Sequence, residues 1–328
     1  MDDTREAQRV LAVDFKTPLK NAVESLQGKT LLVTGGASGF GEAIVTAFTK
    51  QPGTAAIIAD RDMARGQAME RTLCEAGCSV KFVEVDVTDW SSVTRLFRSA
   101  LVWLRETYKQ DRTIDHIVTC AGVTSENLDV TPVQPDDFLD QKTESKPPAS
   151  RSINISITGS LYTITAAMRY GMGLHKLEDI ATRSDKSITM LSSMAGFSGM
   201  HLQSDYTASK WGVRGLFRSL LSGGEMDASP VRFNLIAPYF VATPLTEAWV
   251  PHLQNMGIKL ADIGDVEAAA LRFMGDKLID GRAAGIWQGG AVDLRDDFAG
   301  GFGSSAMSEG VDSGVLRQPT TWISKARM

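Results

Sequence analysis

Residues 30–48 combine an apolar strand, a glycine-rich turn and an apolar helix in immediate succession. The turn reads T-G-G-A-S-G-F-G, from Thr34 to Gly41, and the helix continues E-A-I-V-T-A-F. Glycine adopts backbone angles that are closed to other residues, and the amino terminus of a helix offers unpaired N–H groups and a partial positive charge to a phosphate. This order of strand, turn and helix therefore predicts a parallel α/β fold that holds a dinucleotide at its first turn.

The alternation of strands and helices continues to about residue 290. Strands are predicted at 30–34, 55–59, 79–85, 114–119, 187–191, 231–236 and 284–287. Helices are predicted around 40–50, 62–76, 90–109, 151–175, 206–222 and 265–277. Such alternation indicates repeated βαβ units. We therefore expect an α/β fold with a single doubly wound Rossmann-type domain, a seven-stranded parallel sheet and helices on both faces.

Composition argues against several classes of protein. The chain has 328 residues, of which 43% are hydrophobic and 22% charged, and no apolar run approaches the roughly 18 residues of a membrane-spanning helix. A net charge of -5 without a long Lys/Arg stripe argues against a nucleic-acid partner. Neither the three cysteines nor the four histidines match a zinc pattern, so we expect no metal and a reducing compartment. A cytoplasmic protein is expected; the alternative is a peroxisomal one, because the chain ends in Ala-Arg-Met, a loose variant of Ser-Lys-Leu.

Three polar residues form a candidate proton-handling set. Tyr206 and Lys210 lie four apart in D-Y-T-A-S-K-W-G, and Ser193 lies thirteen positions before the tyrosine. Residues four apart share one face of a helix. A phenol with a pKa of about 10 is a poor base at neutral pH, and each pH unit by which a nearby ammonium lowers that pKa is worth about 1.4 kcal/mol. The set suits chemistry at a carbonyl or an alcohol; the alternative is a helix start with incidental polar residues.

Two acidic residues follow later strands. Asp60 ends the second strand about twenty residues after the turn, where a carboxylate would accept hydrogen bonds from ribose hydroxyls and repel a 2′-phosphate. Arg61 follows directly and would soften this discrimination, so we expect NAD as the cofactor, with NADP possible. The alternative role of Asp60 is a helix cap. Asp86 closes the third strand and would bind the adenine amino group or form an Asx turn.

With the spacing Gly-x-x-x-Gly-x-Gly, a later Asp-Val, an Ala-Gly after strand four, a Ser and a Tyr-x-x-x-Lys, the chain resembles the short-chain dehydrogenase/reductase family. L-S-S-M-A-G and V-R-F-N-L-I-A-P-Y-F-V-A-T-P resemble the branch that includes 15-hydroxyprostaglandin dehydrogenase. The resemblance implies NAD-linked oxidation of a secondary alcohol, or the reverse reduction. The cofactor-binding residues that it implies are Gly35, Ser38, Gly39, Phe40, Gly41, Asp60, Asp86, Val87, Ala121, Gly122, Tyr206, Lys210, Pro238, Val241 and Thr243.

The resemblance also implies a role for each residue of the proton-handling set. Tyr206 exchanges the hydroxyl proton while hydride passes between the substrate carbon and the nicotinamide. Ser193 hydrogen-bonds the reacting oxygen. Lys210 holds the nicotinamide ribose and keeps the tyrosine acidic. Gln203 stands where a substrate or cofactor contact is implied; the alternative is a solvent-facing loop residue.

The chain departs from the family pattern at three places. After strand four it has Thr119 and Cys120 instead of two asparagines. Ser156 stands where the family has an asparagine that completes a water-linked proton path, and Asn154 would face away unless the helix is shifted. A serine hydroxyl can hold a water, so we expect Ser156 to serve a working but slower relay. Tyr239 follows Pro238 where the family has a glycine, so an aromatic ring lies beside the nicotinamide pocket or turns outward.

The resemblance divides the chain into an N-terminal extension at 1–28, an NAD(P)-binding catalytic domain at 29–292 and a Gly/Ser-rich C-terminal tail at 293–328. The tail is expected to be disordered or to lie over a partner subunit. Residues 123–150 carry Pro, Ser and charge and are expected to form a long surface loop.

The expected substrate is a bulky apolar small molecule. The residues expected to cover it are Trp249, Val250, Leu253, Met256 and Ile258, with ordinary core packing as the alternative. A homodimer or homotetramer is expected through the helix at 151–175 and the catalytic helix, with Trp211, Phe217 and Leu221 at the interface. Two other functions stay open: a non-hydride enzyme of the same family, such as an epimerase, dehydratase or cyclase, and a cofactor-binding sensor without turnover.

Overall fold

The computed structural model describes residues 13–109, 111–124, 134–140, 148, 150–176, 185–200, 203–222 and 231–296. The strands are β1 (Thr30–Thr34), β2 (Ala55–Asp60), β3 (Ser79–Glu84), β4 (His116–Thr119), β5 (Lys186–Leu191), β6 (Val231–Pro238), β7 (Ala283–Trp287) and β8 (Gly290–Asp293). The α-helices are α1 (Lys20–Glu24), α2 (Gly39–Phe48), α3 (Met63–Glu75), α4 (Trp90–Tyr108), α5 (Pro135–Leu139), α6 (Arg151–Ile153), α7 (Gly159–Ala166), α8 (Ser204–Ser222), α9 (Val250–Asn255) and α10 (Ile263–Gly275). Two π-helical turns, Asn154–Thr158 and Ala167–Gly171, flank α7, and a 3₁₀ turn spans Met194–Gly196.

The strands of the described residues form one sheet in the order β3-β2-β1-β4-β5-β6-β7-β8. Strands β1 to β7 pair in parallel, which confirms the doubly wound α/β fold. The predicted count of seven strands is one too few, because β8 pairs antiparallel with β7. Gly289 and Gly290, with φ angles of 102° and 117°, turn the chain back between these two strands. Such angles favour glycine, and this short hairpin carries no long apolar run that would predict a strand.

Each face of the sheet buries apolar side chains from alternate strand positions. In β1, Leu32 packs into the apolar cluster of one face, and Leu31 and Val33 pack into the cluster of the other. Ile57 and Ile58 of β2 divide in the same way. Helices α4, α7 and α8 cover the first face, and α2, α3 and α10 cover the second. Because successive strand residues point to opposite faces, a sheet covered on both sides requires such uninterrupted apolar runs.

Aspartates start three of these helices. Asp62, Asp89 and Asp262 each accept a hydrogen bond from a backbone amide in the first turn of α3, α4 and α10. Caps of this kind stabilise a helix by about 1 kcal/mol. Since Asp62 caps α3, the alternative role of Asp60 as the helix cap is wrong.

The predicted helix at 151–175 is not a regular α-helix. Its π turns precede and follow α7, and Gly159 at the junction packs against Val87, where a Cβ on the glycine would lie 2.7 Å from the Val87 Cγ2 atom. A π turn contains one residue more than an α turn, so it changes which side chains share a face. This shift moves residues 154 and 156 relative to the faces that a regular helix predicts.

The described residues extend beyond the predicted domain at both ends. Helix α1 lies within the predicted N-terminal extension, and the Val13 amide donates a hydrogen bond to Asp293 Oδ2 at 2.8 Å. Leu294 and Asp296 are fully buried within the predicted tail. Residues 1–12, 297–328, and most of the predicted surface loop lie outside the described part of the chain. Among the helices that the structure describes, none has both the length and the apolar character needed to cross a membrane.

Helix α8 presents a different surface from the one expected for an interface between subunits. Trp211 is 45% exposed, as expected of a residue available to a partner subunit. Phe217 is fully buried in the core, so its expected place at an interface is wrong, and Leu221 packs partly buried against the same core. The periodicity of an amphipathic helix does not separate a face that covers the sheet from one that meets another subunit.

Candidate active site

The glycine turn after β1 has the geometry of a phosphate-binding loop. Gly35 and Gly39 have positive φ angles of 67° and 53°. A Cβ on Gly35 would lie 2.8 Å from Ala121 Cα, and one on Gly41 would lie 2.1 Å from the Gly35 carbonyl oxygen. The turn therefore requires glycine both for its angles and for its close packing. Helix α2 begins at Gly39, so its first amides point toward the space in front of the turn.

A cavity of about 740 Å³ opens at this turn, at the carboxyl ends of the strands and beside the switch between β1 and β4. An open parallel sheet binds dinucleotides at such a switch point. The predicted cofactor residues that line the cavity are Gly35, Ser38, Gly39, Phe40, Asp60, Asp86, Val87, Ala121, Gly122 and Thr243. Gly41, Pro238, Val241, Tyr206 and Lys210 are not among the lining residues. Gly41 instead packs beneath the turn, as its contact with Gly35 shows.

Several residues of the cavity wall were not predicted. The polar ones are Arg61, Asp62, Arg65, Thr88, Ser150, Arg151 and Asn154, and the others are Ala37, Val85, Cys120, Val123, Ile155, Pro244 and Leu245. Arg61 was expected only to soften the discrimination by Asp60, whereas Arg65, one helical turn into α3, lines the same space and was not expected there. The end of the cavity at Asp60 thus carries two arginines and a second acid, Asp62. Arg65 could have been found from its position in the sequence, because a side chain in the first turn of the helix after β2 lies close to the end of that strand.

The two acids at the strand ends are already hydrogen-bonded. Asp60 accepts from the amides of Ala37 at 3.1 Å and Asp62 at 3.0 Å, so it ties the glycine turn to β2. Asp86 accepts from the Thr88 hydroxyl at 2.7 Å and the Thr88 amide at 2.8 Å, which is the Asx turn considered from the sequence. These bonds to Thr88 hold the pKa of Asp86 below its usual value. Both carboxylates keep a place in the cavity wall.

The fold brings Ser193 and Tyr206 together. Ser193 is the hydrogen-bonding side chain beside Tyr206 that lowers the pKa of the phenol, and its Oγ donates to the Pro238 carbonyl oxygen at 3.3 Å and accepts from the Ala195 amide at 3.1 Å. Ser193 is buried at the end of β5, where it starts the turn Met194–Gly196. Burial raises the pKa of Tyr206, and the hydrogen bond with Ser193 lowers it by less.

Lys210 lies one turn further along α8. Its Nζ lies 5.5 Å from the centre of the Tyr206 ring and donates a hydrogen bond to the Leu191 carbonyl oxygen at 3.2 Å. Burial lowers the pKa of Lys210 to about 8, because removal from water disfavours the ammonium. Burial raises the pKa of Tyr206 in the protein by itself, and the lowering of that pKa by Lys210 stays a prediction.

Ser156 lies deep beside the lysine. It is 1% exposed, and its Oγ has no hydrogen-bond partner among the described residues. A methyl group placed on Gly122 would lie 4.0 Å from Ser156 Oγ and 3.5 Å from Lys210 Nζ, so the two polar atoms flank the same small space. Asn154 lines the cofactor cavity instead. From the sequence, Asn154 was expected to face away unless the helix is shifted. The π turn at Asn154–Thr158 provides that shift.

An apolar cluster lies beyond Pro238. Phe240, Leu253 and Ile258 are buried in it, and the partly buried residues around them are Met200, Tyr239, Trp249, Met256 and Leu260. The ring of Tyr239 packs edge to face with Phe240 at 4.8 Å, so the ring has not turned outward. Burial raises the pKa of Tyr239 to about 12. Leu253 and Ile258 are core residues, so their expected contact with substrate is wrong, whereas Trp249, Val250 and Met256 keep exposed surface.

The remaining predicted residues support the same region. Thr243 packs on the glycine turn, since a Cβ on Gly39 would lie 3.6 Å from Thr243 Cβ. Val241 is buried and bridges to Ala261. Gln203 begins the α8 segment, where its carbonyl oxygen accepts from the Thr207 amide at 2.8 Å; a contact to cofactor stays a prediction.

Fold and site together define a nucleotide-binding α/β protein with a Ser-Tyr-Lys set at the strand ends. The family model described as short chain dehydrogenase matches residues 29–254. The chain belongs to this family. The narrower branch suggested by the sequence stays a prediction.

Relatives of the chain support this assignment. 5′-Hydroxyaverantin dehydrogenase of Dothistroma septosporum is 32% identical over 291 residues, which cover 86% of this chain and 92% of that protein. NADP-dependent dehydrogenase M3 of a Phoma species is 32% identical over 79% of this chain and 74% of its own length. (+)-cis,cis-Nepetalactol synthase NEPS3 of Nepeta racemosa is 28% identical over 90% of this chain and 94% of its own length. The crystal structure of gox2181 is 26% identical with a TM-score of 0.62, covering 80% of this chain and 95% of that one.

Proposed function

We propose that this protein is an NAD-dependent oxidoreductase that interconverts a secondary alcohol and a ketone on a bulky apolar small molecule. The observation that carries the proposal is the placement of Ser193, Tyr206 and the buried Lys210 side by side at the strand ends that border the dinucleotide cavity, with Lys210 Nζ 5.5 Å from the centre of the Tyr206 ring. The dehydrogenases among the relatives support the same chemistry.

Each residue at the site would have a distinct role in the reaction. A bound nicotinamide dinucleotide supplies or accepts the hydride. Tyr206 gives its phenol proton to the carbonyl oxygen in reduction and takes the hydroxyl proton as phenolate in oxidation. Ser193, held by the Ala195 amide that donates to its Oγ, would turn its one hydroxyl proton from the Pro238 carbonyl oxygen to the same oxygen and orient it. Lys210, anchored on Leu191, lies where it would hold the nicotinamide ribose.

Ser156 would complete the proton path behind the lysine. Its buried Oγ lacks a partner among the described residues, although a hydroxyl removed from water normally makes a hydrogen bond. A water between Ser156 Oγ and Lys210 Nζ would satisfy both atoms and replace the longer asparagine side chain of the family pattern.

The cavity residues support NAD as the preferred cofactor, with modest discrimination against NADP. Asp60 places a carboxylate at the ribose end, where a 2′-phosphate would be repelled. Arg61 and Arg65 line the same end and would attract that phosphate. We therefore expect NAD to be preferred by a modest factor, and relatives that use NADP are consistent with a small margin.

The substrate class follows from the surface beside Ser193. Tyr239, Trp249, Met200 and Met256 are partly buried around one apolar cluster, and Pro238 joins this cluster to the Ser193 hydrogen bond. An aromatic and thioether surface of this kind binds a bulky apolar molecule with one polar group placed at the reacting position.

A non-hydride reaction is the second candidate, because one relative is a nepetalactol synthase and a neutral Tyr206 phenol can act as a general acid without any hydride transfer. The test is a screen of secondary alcohols and ketones with NAD and NADP separately, read at the nicotinamide absorbance band. Stoichiometric absorbance change supports the oxidoreductase. Product without that change refutes it and supports the second candidate.

The cofactor preference is tested with Asp60→Ala, and Asp89→Ala is the control. Asp89 caps α4 outside the cavity lining, so its loss removes an acid and a cap without touching the site. We expect Asp60→Ala to reduce the kcat/KM ratio of NAD over NADP by about tenfold, since a hydrogen bond to a charged group is worth about 1.5–3 kcal/mol. An unchanged ratio would contradict the assignment of Asp60.

We further propose a homodimer or homotetramer and a reducing, cytoplasmic location. Trp211 and Leu161 are each 45% exposed on α8 and α7, which suits a contact between subunits. Cys74, Cys78 and Cys120 are free thiols, which suits a reducing compartment. Light scattering of the wild type and of Trp211→Glu tests the oligomeric state. A monomeric wild type would exclude the proposed homodimer or homotetramer. Imaging of the tagged chain tests the proposed location.

A further inference from the structure

Asp296 is a buried carboxylate that contacts the catalytic helix from the far end of the described chain. It is 0% exposed, and Arg214 of α8 binds it with two hydrogen bonds, Nε to Oδ2 at 2.8 Å and Nη2 to Oδ1. Arg218 donates to the Asp296 carbonyl oxygen and lies 3.4 Å from Oδ1. A buried carboxylate requires such partners, because taking a charge out of water is costly. A bidentate pair also fixes the guanidinium in one orientation.

Arg214 carries this contact into the active site. It lies one turn after Lys210 and two turns after Tyr206 on α8, and its Nη1 donates to the Gly196 carbonyl oxygen at 3.3 Å. Its guanidinium lies 4.2 Å from the centre of the Phe197 ring. Arg214 therefore clamps the end of the turn that Ser193 begins.

That turn and α8 are in close contact at a second point. Ser192 Oγ donates to the Lys210 carbonyl oxygen at 2.9 Å, and a Cβ on Gly196 would lie 2.7 Å from the same oxygen. The Gly196 amide closes the turn on the Ser193 carbonyl oxygen at 2.8 Å. Together with the hydrogen bond from Lys210 Nζ to the Leu191 carbonyl oxygen, these contacts and that of Arg214 set the distance between Ser193 and the helix that carries Tyr206.

We propose that Asp296 is a positioning residue: through Arg214 it holds the Ser193–Gly196 turn against α8 so that Ser193 meets Tyr206. Composition alone assigns Asp296 to the C-terminal tail. The alternative to a positioning role is that Asp296 and Arg214 form a buried ion pair that only stabilises the fold. The positioning role rests on the proposed oxidoreductase function for its kinetic test, but its spectroscopic test does not. A displacement of about 1 Å at a catalytic group can cost about a hundredfold in rate.

The test compares Asp296→Asn with Asp293→Asn as the matched control. Asp293 lies three residues earlier, is similarly buried and pairs with Arg282 at 3.8 Å, but its side chain bonds Val13 and Arg295 rather than α8. Both variants remove one buried negative charge. We expect Asp296→Asn to lower kcat at least tenfold with the KM for NAD within twofold, and Asp293→Asn to lower only the unfolding midpoint.

The second readout is the pKa of Tyr206, from the ultraviolet titration of each protein minus that of its Tyr206→Phe version. Two polar groups lie beside this phenol among the described residues. One is Ser193, and the other is the ammonium of Lys210, which is on the same helix as Tyr206. Loss of the Ser193 contact should raise the pKa in Asp296→Asn and leave it unchanged in Asp293→Asn. A wild-type kcat and pKa in folded Asp296→Asn, or the same changes in Asp293→Asn, would overturn the proposal.

If Asp296→Asn fails to fold, Arg214→Lys provides the test. Lysine keeps the positive charge, but its single nitrogen cannot bind Asp296 with two hydrogen bonds and also donate to the Gly196 carbonyl oxygen. This variant should show the same rise of the Tyr206 pKa, and an unchanged pKa overturns the proposal. If the wild type has no nicotinamide-dependent turnover, the proposed function fails, while the titration still decides the role of Asp296.

Discussion

Replacement of Lys210 by methionine should make the cofactor-free protein more stable while it abolishes turnover. Burial lowers the pKa of Lys210 from 10.5 to about 8. At about 1.4 kcal/mol per pH unit, the folded state at pH 7 is destabilised by about 3 kcal/mol by holding this ammonium. Methionine removes this cost but leaves the Leu191 carbonyl oxygen without its donor, which costs about 1 kcal/mol. The expected net gain in the free energy of unfolding is about 2 kcal/mol.

The pH dependence gives this prediction its sign. The folded pKa lies below the unfolded one, so between about pH 8 and 10.5 the unfolded chain binds a proton that the folded protein does not. Stability of the wild type therefore rises with pH across this window. At pH 9.5 about 2 kcal/mol of the cost should be gone, and the two proteins should unfold at nearly the same urea concentration. Other titrating groups are common to both proteins and cancel in the difference.

The assay is urea unfolding of both proteins at pH 7 and 9.5, with Lys186→Met as the control. Lys186 Nζ pairs with Asp115 at 3.2 Å and also donates to the Ile114 carbonyl oxygen at 3.1 Å, so its loss should lower stability at pH 7. A Lys210→Met protein that is less stable than wild type at pH 7 would refute the reasoning. A stability gap that stays constant from pH 7 to 9.5 would refute it as well.

Three further predictions concern turnover. Tyr206→Phe should lower kcat by about 10²- to 10⁴-fold while the Kd for NAD stays within about twofold, since it removes only the transferable proton; preserved turnover would sink the mechanism. Ser156→Asn should leave kcat equal or higher, because it restores the longer relay side chain of the family pattern; a large loss would mean that the pocket is built around the serine. Alcohol oxidation should accelerate as pH rises above 7 while ketone reduction stays level, because the raised pKa of Tyr206 keeps the phenol protonated; a flat oxidation profile in initial-rate assays would contradict this.

The strand positions show how much of the fold local sequence determines. All seven predicted strands occur within two residues of their expected ends, because six of them are largely apolar runs buried on both faces, and β3 alternates buried apolar with partly exposed positions. The glycine turn was equally predictable, because its three glycines are required by backbone angles and close contacts within one short segment. Local sequence alone therefore predicts that the cavity opens at the glycine turn.

The missed features depend on contacts between distant segments. β8 exists because β7 offers it an edge, and Asp296 is ordered by two arginines of α8. The π turn at Asn154–Thr158 accompanies the packing of Gly159 on Val87. None of these contacts is contained in the composition of a tail or in the periodicity of a helix.

The protonation of the site was the hardest property to predict. Spacing on one helix face correctly predicted that Tyr206 and Lys210 would be neighbours, but it implied a lowered pKa for the phenol. Burial instead raises the pKa of Tyr206 and lowers that of Lys210, so both neutral forms are favoured. The protein by itself is therefore prepared to donate a proton rather than to accept one. Since the Ser193 hydrogen bond is the feature that lowers the Tyr206 pKa, the contacts that position Ser193 also set how readily the site oxidises an alcohol.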